Sequence, residues 1–61
     1  MTILVRKYVK NGDKSNKTVD NIDEALKILG KSFNEIYLNV EWINCVDLFF
    51  IGTKDYLRIV N

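Results

Sequence analysis

The sequence predicts an α+β fold in which one helix packs on one face of a single antiparallel four-stranded sheet, in the order β-α-β-β-β. Apolar residues recur with a period of two in four segments, and with helical spacing in one segment between the first and second of these. Short turn signals separate the last three strand segments, which is typical of an antiparallel meander. Because 61 residues suffice for one small core, residues 1–61 are predicted to form a single domain.

The first strand is predicted over residues 2–10, where TILVRKYVK is rich in β-branched and aromatic side chains, although Lys7 interrupts its apolar side. Asn11 and Gly12 follow as a strong turn signal, and residues 11–18 are predicted to be an exposed polar loop or a hairpin tip. In the hairpin alternative a very short strand returns over residues 17–19, and the sheet then has five strands.

The helix is predicted over residues 22–29. Asn21 is a favourable N-cap, with Asp20 as the alternative, and Glu24 stands three residues after Asn21, where a capping box has its acidic residue. Gly30 is the residue type that ends helices in a left-handed conformation. The apolar residues at helical spacing are Ile22, Ala25, Leu26 and Leu29.

Three further strands are predicted over residues 35–43, 46–51 and 56–60. In the first of them apolar and polar residues alternate cleanly, as in a half-buried strand. Asn44 and Cys45 form a break with hairpin spacing, and residues 52–55 form the next turn.

Alternation also predicts which side chains face the helix. Asp47 is charged, so its neighbours Leu48 and Phe50 are placed inside and Phe49 outside. The predicted inward set is Ile36, Leu38, Val40, Trp42, Val46, Leu48, Phe50, Leu57 and Ile59.

One helix covers only one face of such a sheet, so the other face is predicted to present aromatic residues that need a partner. The predicted partner-binding residues are Tyr8, Tyr37, Phe49, Ile51, Tyr56 and Arg58. Charged residues predicted around them are Arg6, Lys10, Glu35 and Glu41. The alternative interpretation is an incidental cross-strand cluster on a monomer.

Reactive groups are scarce. Histidine is absent and Cys45 is the only cysteine, so we expect no disulfide, no metal site, no cofactor and no catalytic residues, and therefore no enzymatic activity. MTILVRKYVK is apolar too briefly for a signal peptide, and no segment approaches the length of a membrane span. A soluble protein of the reducing cytoplasm, with no small-molecule substrate, is expected.

These features favour a protein-binding module that acts by occluding a partner through the open sheet face. By elimination, an inhibitor or immunity-type accessory protein of a phage or mobile element fits best. The alternative is a small nucleic-acid-binding regulator, although the net charge is only +1. Its basic patch would be Arg6, Lys7, Lys10, Lys14 and Lys17. A third hypothesis is a homo-oligomer in which the last strand pairs edge to edge with its symmetry mate.

Overall fold

The computed structural model describes residues 1–8 and 14–60 of the chain. Within them the predicted small α+β fold, with one antiparallel sheet and one helix, is confirmed. The elements are β1 (Thr2–Tyr8), β2 (Lys14–Val19), α1 (Ile22–Leu29), a 3₁₀-helix (Phe33–Glu35), β3 (Ile36–Glu41), β4 (Cys45–Phe50) and β5 (Tyr56–Val60). Residues 9–13, which include the predicted end of the first strand and the Asn-Gly turn, lie outside the described residues.

The predicted number of four strands is wrong, because the sheet has five. Lys14–Val19 forms a strand where the sequence favoured a loop or a return of only three residues. Its composition is polar, so hydrophobic periodicity gives no strand signal. Pairing with β1, from Tyr8 opposite Lys14 to Ile3 opposite Val19, satisfies those of its backbone groups that face β1, and this pairing makes it a strand.

The sheet order is β2-β1-β5-β4-β3, with every neighbouring pair antiparallel. The last strand, β5, therefore lies in the middle of the sheet, between β1 and β4. The hypothesis that the last strand pairs with a symmetry mate is wrong, since both of its edges are already hydrogen-bonded. The two edges of the sheet are formed by β2 and β3.

Helix α1 begins and ends where the sequence predicts. The Asn21 side-chain oxygen accepts hydrogen bonds from the backbone N–H groups of Asp23 (2.8 Å) and Glu24 (3.2 Å). Gly30 ends the helix with a φ of 68°, a left-handed conformation that costs glycine little. The helix makes its closest approach to β1 and β2, near the sheet edge that lies farthest from β3.

The core lies between α1 and the sheet. Lys7, at the edge of this layer, extends its ammonium group to the carbonyl of Ile28 (3.4 Å) in the last turn of α1, where a cation is favourable. Val46 and Ile59, predicted to face inward, pack against the core from partly buried positions. The buried apolar residues are Ile3, Val5, Ala25, Leu26, Leu29, Leu48, Phe50 and Leu57.

A buried carboxylate joins β1 to the start of β5. Asp55 is 5% exposed, and its Oδ1 accepts a hydrogen bond from the backbone N–H of Tyr8 (2.8 Å). The N–H of Asp55 in turn donates to the hydroxyl of Thr53 (3.2 Å) in the turn before it. These bonds fix where β5 enters the sheet.

The predicted orientation of the strand over residues 35–43 is wrong for three of the four residues that the sequence places inward. The pairing register between β3 and β4 shifts between Ile36 and Leu38, as in a β-bulge. A shift of one residue moves every following side chain to the other face. Ile36 still packs on the core opposite Phe50. The residues moved to the face opposite α1 are Leu38, Val40 and Trp42.

Candidate protein-binding surface

The open face is the side of the sheet turned away from α1. Tyr8, Phe49, Tyr56 and Arg58 lie on it, because they alternate along their strands with buried core residues. All four are half-buried. Phe49 and Tyr56 lie opposite each other on neighbouring strands, with ring centroids 5.3 Å apart. Much of the predicted aromatic surface is therefore already covered by neighbouring side chains.

A hydrogen-bonded carboxylate occupies the middle of the open face. Asp47 is only 2% exposed, and Arg58 lies directly opposite it on β5. The guanidinium donates from Nε to Oδ1 (2.8 Å) and from Nη2 to Oδ2 (2.9 Å). The indole N–H of Trp42 donates to Oδ2 as well (3.0 Å). This cluster joins β4 and β5 to the residue that follows β3, and it orients the indole of Trp42.

The same contacts determine the charge state of the cluster. Hydrogen bonding from Arg58 lowers the pKa of Asp47, and the bond from Trp42 adds to this, while burial acts in the opposite direction. The carboxylate in turn raises the pKa of Arg58. Asp47 and Arg58 are therefore an ion pair at neutral pH, and this part of the open face presents little net charge.

The other two predicted binding residues, Tyr37 and Ile51, lie away from this cluster. Tyr37 stands at the register shift in β3 and is 61% exposed. Ile51 is exposed in the turn after β4, where its backbone N–H donates to the carbonyl of Glu35 (2.8 Å). Tyr37 within β3 and Ile51 beside it therefore belong to a different surface from Phe49 and Tyr56.

Exposed apolar side chains concentrate around β3. Apart from Met1, every large apolar residue that is exposed in the described chain falls between residues 33 and 51. We call this set the β3 rim: Phe33, Tyr37, Leu38, Trp42, Ile43 and Ile51. Phe33, Tyr37 and Leu38 line one shallow groove together with Asn39 of β3. The rim is the least covered apolar surface of the described residues.

Sequence reasoning missed four rim residues. Leu38 and Trp42 were predicted to lie in the core because the bulge that turns them outward leaves no signal in the alternation. Phe33 lies in the 3₁₀-helix before β3, and Ile43, which the sequence places in the strand over residues 35–43, lies in the connection after β3. The ion pair of the open face, in contrast, has a sequence signal. Asp47 and Arg58 carry opposite charges at outward positions on adjacent strands, and this indicates a cross-strand pair.

The charged residues predicted to surround the open face are dispersed. Glu41 lies opposite Val46 and therefore on the same side of the sheet as α1. Glu35 caps the 3₁₀-helix through Ser32 and pairs with Lys31 at 3.5 Å. Arg6 lies on the open face, where it donates to the side-chain oxygen of Asn16 (3.0 Å).

The predicted basic patch is also divided. Arg6 and Lys7 are consecutive in β1 and point to opposite faces, and Lys17, opposite Val5, lies on the α1 side. Lys14 pairs with Tyr8 at the far end of β2. Lys10 lies outside the described residues. Arg6, Lys7 and Lys17 therefore do not form one continuous basic surface.

The surface offers little reactive chemistry. In the parts of the chain that the structure describes, no three histidine, cysteine or carboxylate side chains come together as metal ligands would. Cys45 is a half-buried free thiol at the start of β4. The surface is suited to contact and burial of apolar groups.

The fold defines a small α+β protein with one five-stranded antiparallel sheet, one helix and an apolar rim at one sheet edge. Comparison with protein-family profiles, with curated proteins and with solved structures finds no match. Among the helical residues described, none belongs to a segment long and apolar enough to cross a membrane.

Proposed function

We propose that this chain is a protein-binding module whose binding surface is the β3 rim. The observation that carries this proposal is the concentration of exposed large apolar residues around a single edge strand. Exposed apolar patches next to polar residues are typical of protein interfaces. The proposal keeps the binding role expected from the sequence and moves its centre from Phe49 and Tyr56 to β3.

Two aromatic residues are the expected anchors. Tyr37 and Trp42 are 61% and 58% exposed, and aromatic side chains contribute strongly to binding when they are buried at the centre of an interface. The bond from Trp42 to Asp47 already restricts the indole. Less side-chain freedom is then lost on binding, which favours affinity.

Binding through this edge acts by occlusion, because the rim brings shape and apolar surface without a reactive group. An inhibitor or immunity-type protein of a phage or mobile element remains our proposal for its biological role. We also propose the cytoplasm as its location, since a single cysteine suits a reducing compartment.

A nucleic-acid-binding regulator is the weaker proposal. Binding to phosphates needs cations gathered along one surface, and Arg6 and Lys7 point to opposite faces. Fluorescence anisotropy with single- and double-stranded oligonucleotides at low salt tests it. Binding that weakens steeply as salt rises would favour this function over ours.

Matched lysine substitutions on the two edge strands test the protein-binding proposal. Leu38→Lys places a charge in the β3 rim, and Thr18→Lys places the same charge at an exposed position on β2. Proteins captured from a host lysate by the immobilised wild-type chain should be lost with Leu38→Lys and retained with Thr18→Lys. Capture that is equal for both variants, or no capture by a wild-type chain that also stays monomeric, would contradict the proposal.

A further inference from the structure

The two edges of the sheet differ in how they resist pairing with another strand. β2 reads KSNKTV, with two lysines, which is a common protection of an exposed edge. β3 reads IYLNVE, with Glu41 as its one charge and no proline. α1 packs over β1 and the β2 edge of the sheet, so it does not cover the β3 edge. β3 is therefore the edge open to pairing.

The hydrogen-bond pattern identifies the backbone groups that β3 offers. The N–H of Trp42 donates to the carbonyl of Cys45 (2.8 Å), so these two residues form a hydrogen-bonded pair. Bonded and non-bonded pairs alternate in an antiparallel ladder, and Val40 opposite Asp47 is the next bonded pair. Asn39 and Glu41, on either side of Val40, belong to non-bonded pairs and direct their N–H and C=O groups away from β4 toward the open edge.

A second β3 matches these groups in one antiparallel register. When Val40 lies opposite Val40 of the second copy, Asn39 of each copy lies opposite Glu41 of the other. The outward groups then form four N–H···O bonds related by a two-fold axis. This register does not use the irregular backbone at Tyr37, and it keeps the two Glu41 carboxylates from facing each other.

The side chains also match in this register. Trp42 lies opposite Leu38 of the second copy on the open face, and Ile43 comes beside its Tyr37. Asn39 and Glu41 lie together on the other face, where an amide can donate to a carboxylate. Apolar rim residues thus meet apolar rim residues, and polar ones meet polar ones.

We infer that the partner at the β3 rim is a second copy of this chain, paired antiparallel along β3 with Val40 at the two-fold axis. The inference rests on the proposed function and names its partner. The product is a continuous ten-stranded sheet, with one α1 near each outer end. A symmetric contact of this kind closes on itself and uses the same surface of both copies.

The exposed area is sufficient for such a dimer. Fully burying an aromatic side chain removes about 150–250 Å² from water, so Tyr37 and Trp42 each still offer roughly 100–150 Å². Two copies then contribute about 400–600 Å² from these residues alone. Leu38, Ile43 and the strand backbones add a comparable area. The total is about 1,000 Å², close to the lower size of specific interfaces.

A disulfide cross-link tests the register. Facing residues in a non-bonded antiparallel pair have Cα atoms about 4.5 Å apart, within the range that a disulfide spans. Val40→Cys in a Cys45→Ser background should therefore form a covalent dimer under mild oxidation. Thr18→Cys in the same background is the control, and it should stay monomeric at the same concentration.

Sedimentation equilibrium of the reduced proteins tests the pairing itself. Asn39→Pro removes an N–H that points away from β4, so the monomer loses no internal hydrogen bond while the dimer loses two. We expect Asn39→Pro and Leu38→Lys to weaken dimerisation at least about tenfold, and Thr18→Lys to leave it unchanged. Circular dichroism identifies any variant that fails to fold, and the remaining variant then decides.

The outcomes separate the inference from the proposed function. A wild-type chain that stays monomeric at the highest soluble concentration, or equal cross-linking of Val40→Cys and Thr18→Cys, overturns self-pairing. If a different protein is then captured by the wild type and lost with Leu38→Lys, the binding function stands with another partner. If neither self-pairing nor such capture is seen, both proposals fail.

Discussion

Replacing Arg58 with methionine should destabilise the protein much more than removing both Arg58 and Asp47. In the single variant the Asp47 carboxylate stays buried, 2% exposed, and keeps only the bond from Trp42. An uncompensated buried charge costs about 3–5 kcal/mol. The Arg58 side chain is 35% exposed, so water replaces part of what is lost, and we expect about 2–3 kcal/mol.

The double variant Asp47→Leu/Arg58→Met removes both charges and leaves apolar side chains of similar length. Exchange of a buried ion pair for apolar residues is often close to neutral, so the free energy of unfolding should stay within about 1 kcal/mol of the wild type. Asp47→Leu alone should cost about 1–2 kcal/mol, because the partly exposed guanidinium can turn to water. The cycle then gives a coupling energy of roughly 2 kcal/mol or more.

Urea denaturation followed by far-ultraviolet circular dichroism measures these free energies. Trp42 is the only tryptophan and contacts Asp47, so its fluorescence is a second probe of the same transition. A chain of this size has a total stability of only about 3–9 kcal/mol, so measurements near 15 °C keep the single variant folded. Additive effects, with coupling below about 0.5 kcal/mol, would refute the described ion pair.

Three further predictions test other parts of the fold. Asn21→Ala should lower the free energy of unfolding by about 1 kcal/mol through loss of the helix cap, whereas Asn34→Ala at an exposed site should not, as urea denaturation can show. Phe50→Ala should lower the free energy of unfolding by about 3–5 kcal/mol, because it removes a buried core side chain, and Phe49→Ala should lower it much less, because Phe49 is half-buried. Thermal denaturation compares the two variants, and equal losses of stability would contradict the assigned faces. Because folding lowers the pKa of the Asp47 carboxyl, its ionised form stabilises the fold above pH 3.8, the ordinary pKa, and this contribution is lost as pH falls through the lower pKa of the folded state. The free energy of unfolding, measured over a series of acidic pH values, should therefore decrease less in Asp47→Asn than in the wild type. Identical curves for the two proteins would exclude this contribution.

Local signals predicted α1 and β5 with their correct ends. Asn21 and Gly30 determine where α1 begins and ends through contacts within a few residues, so the sequence carries the information directly. Strand β2 could not be predicted in the same way. Its only strong apolar residue is Val19, and it is a strand because β1 offers an edge to its backbone.

The candidate site was predicted only in part for a similar reason. The sequence indicated surplus apolar surface and placed Phe49 on the open face. Its position opposite Tyr56 on the neighbouring strand agrees with this placement. It could not locate the uncovered surface, because a one-residue bulge turns Leu38 and Trp42 outward. The position of α1 over β1 and β2 leaves β3 as the bare edge, and that depends on the strand order.

The central claim is that this chain binds through the β3 edge. Its most direct test is to follow the backbone amide chemical shifts by NMR over a dilution series. We expect a higher protein concentration to change the amide chemical shifts of Asn39 and Glu41 most and to slow hydrogen exchange at these amides. The chemical shifts of the β2 amides should stay unchanged. Shifts at β2 in place of β3, or unperturbed β3 amides both at high concentration and with any captured partner, would contradict it.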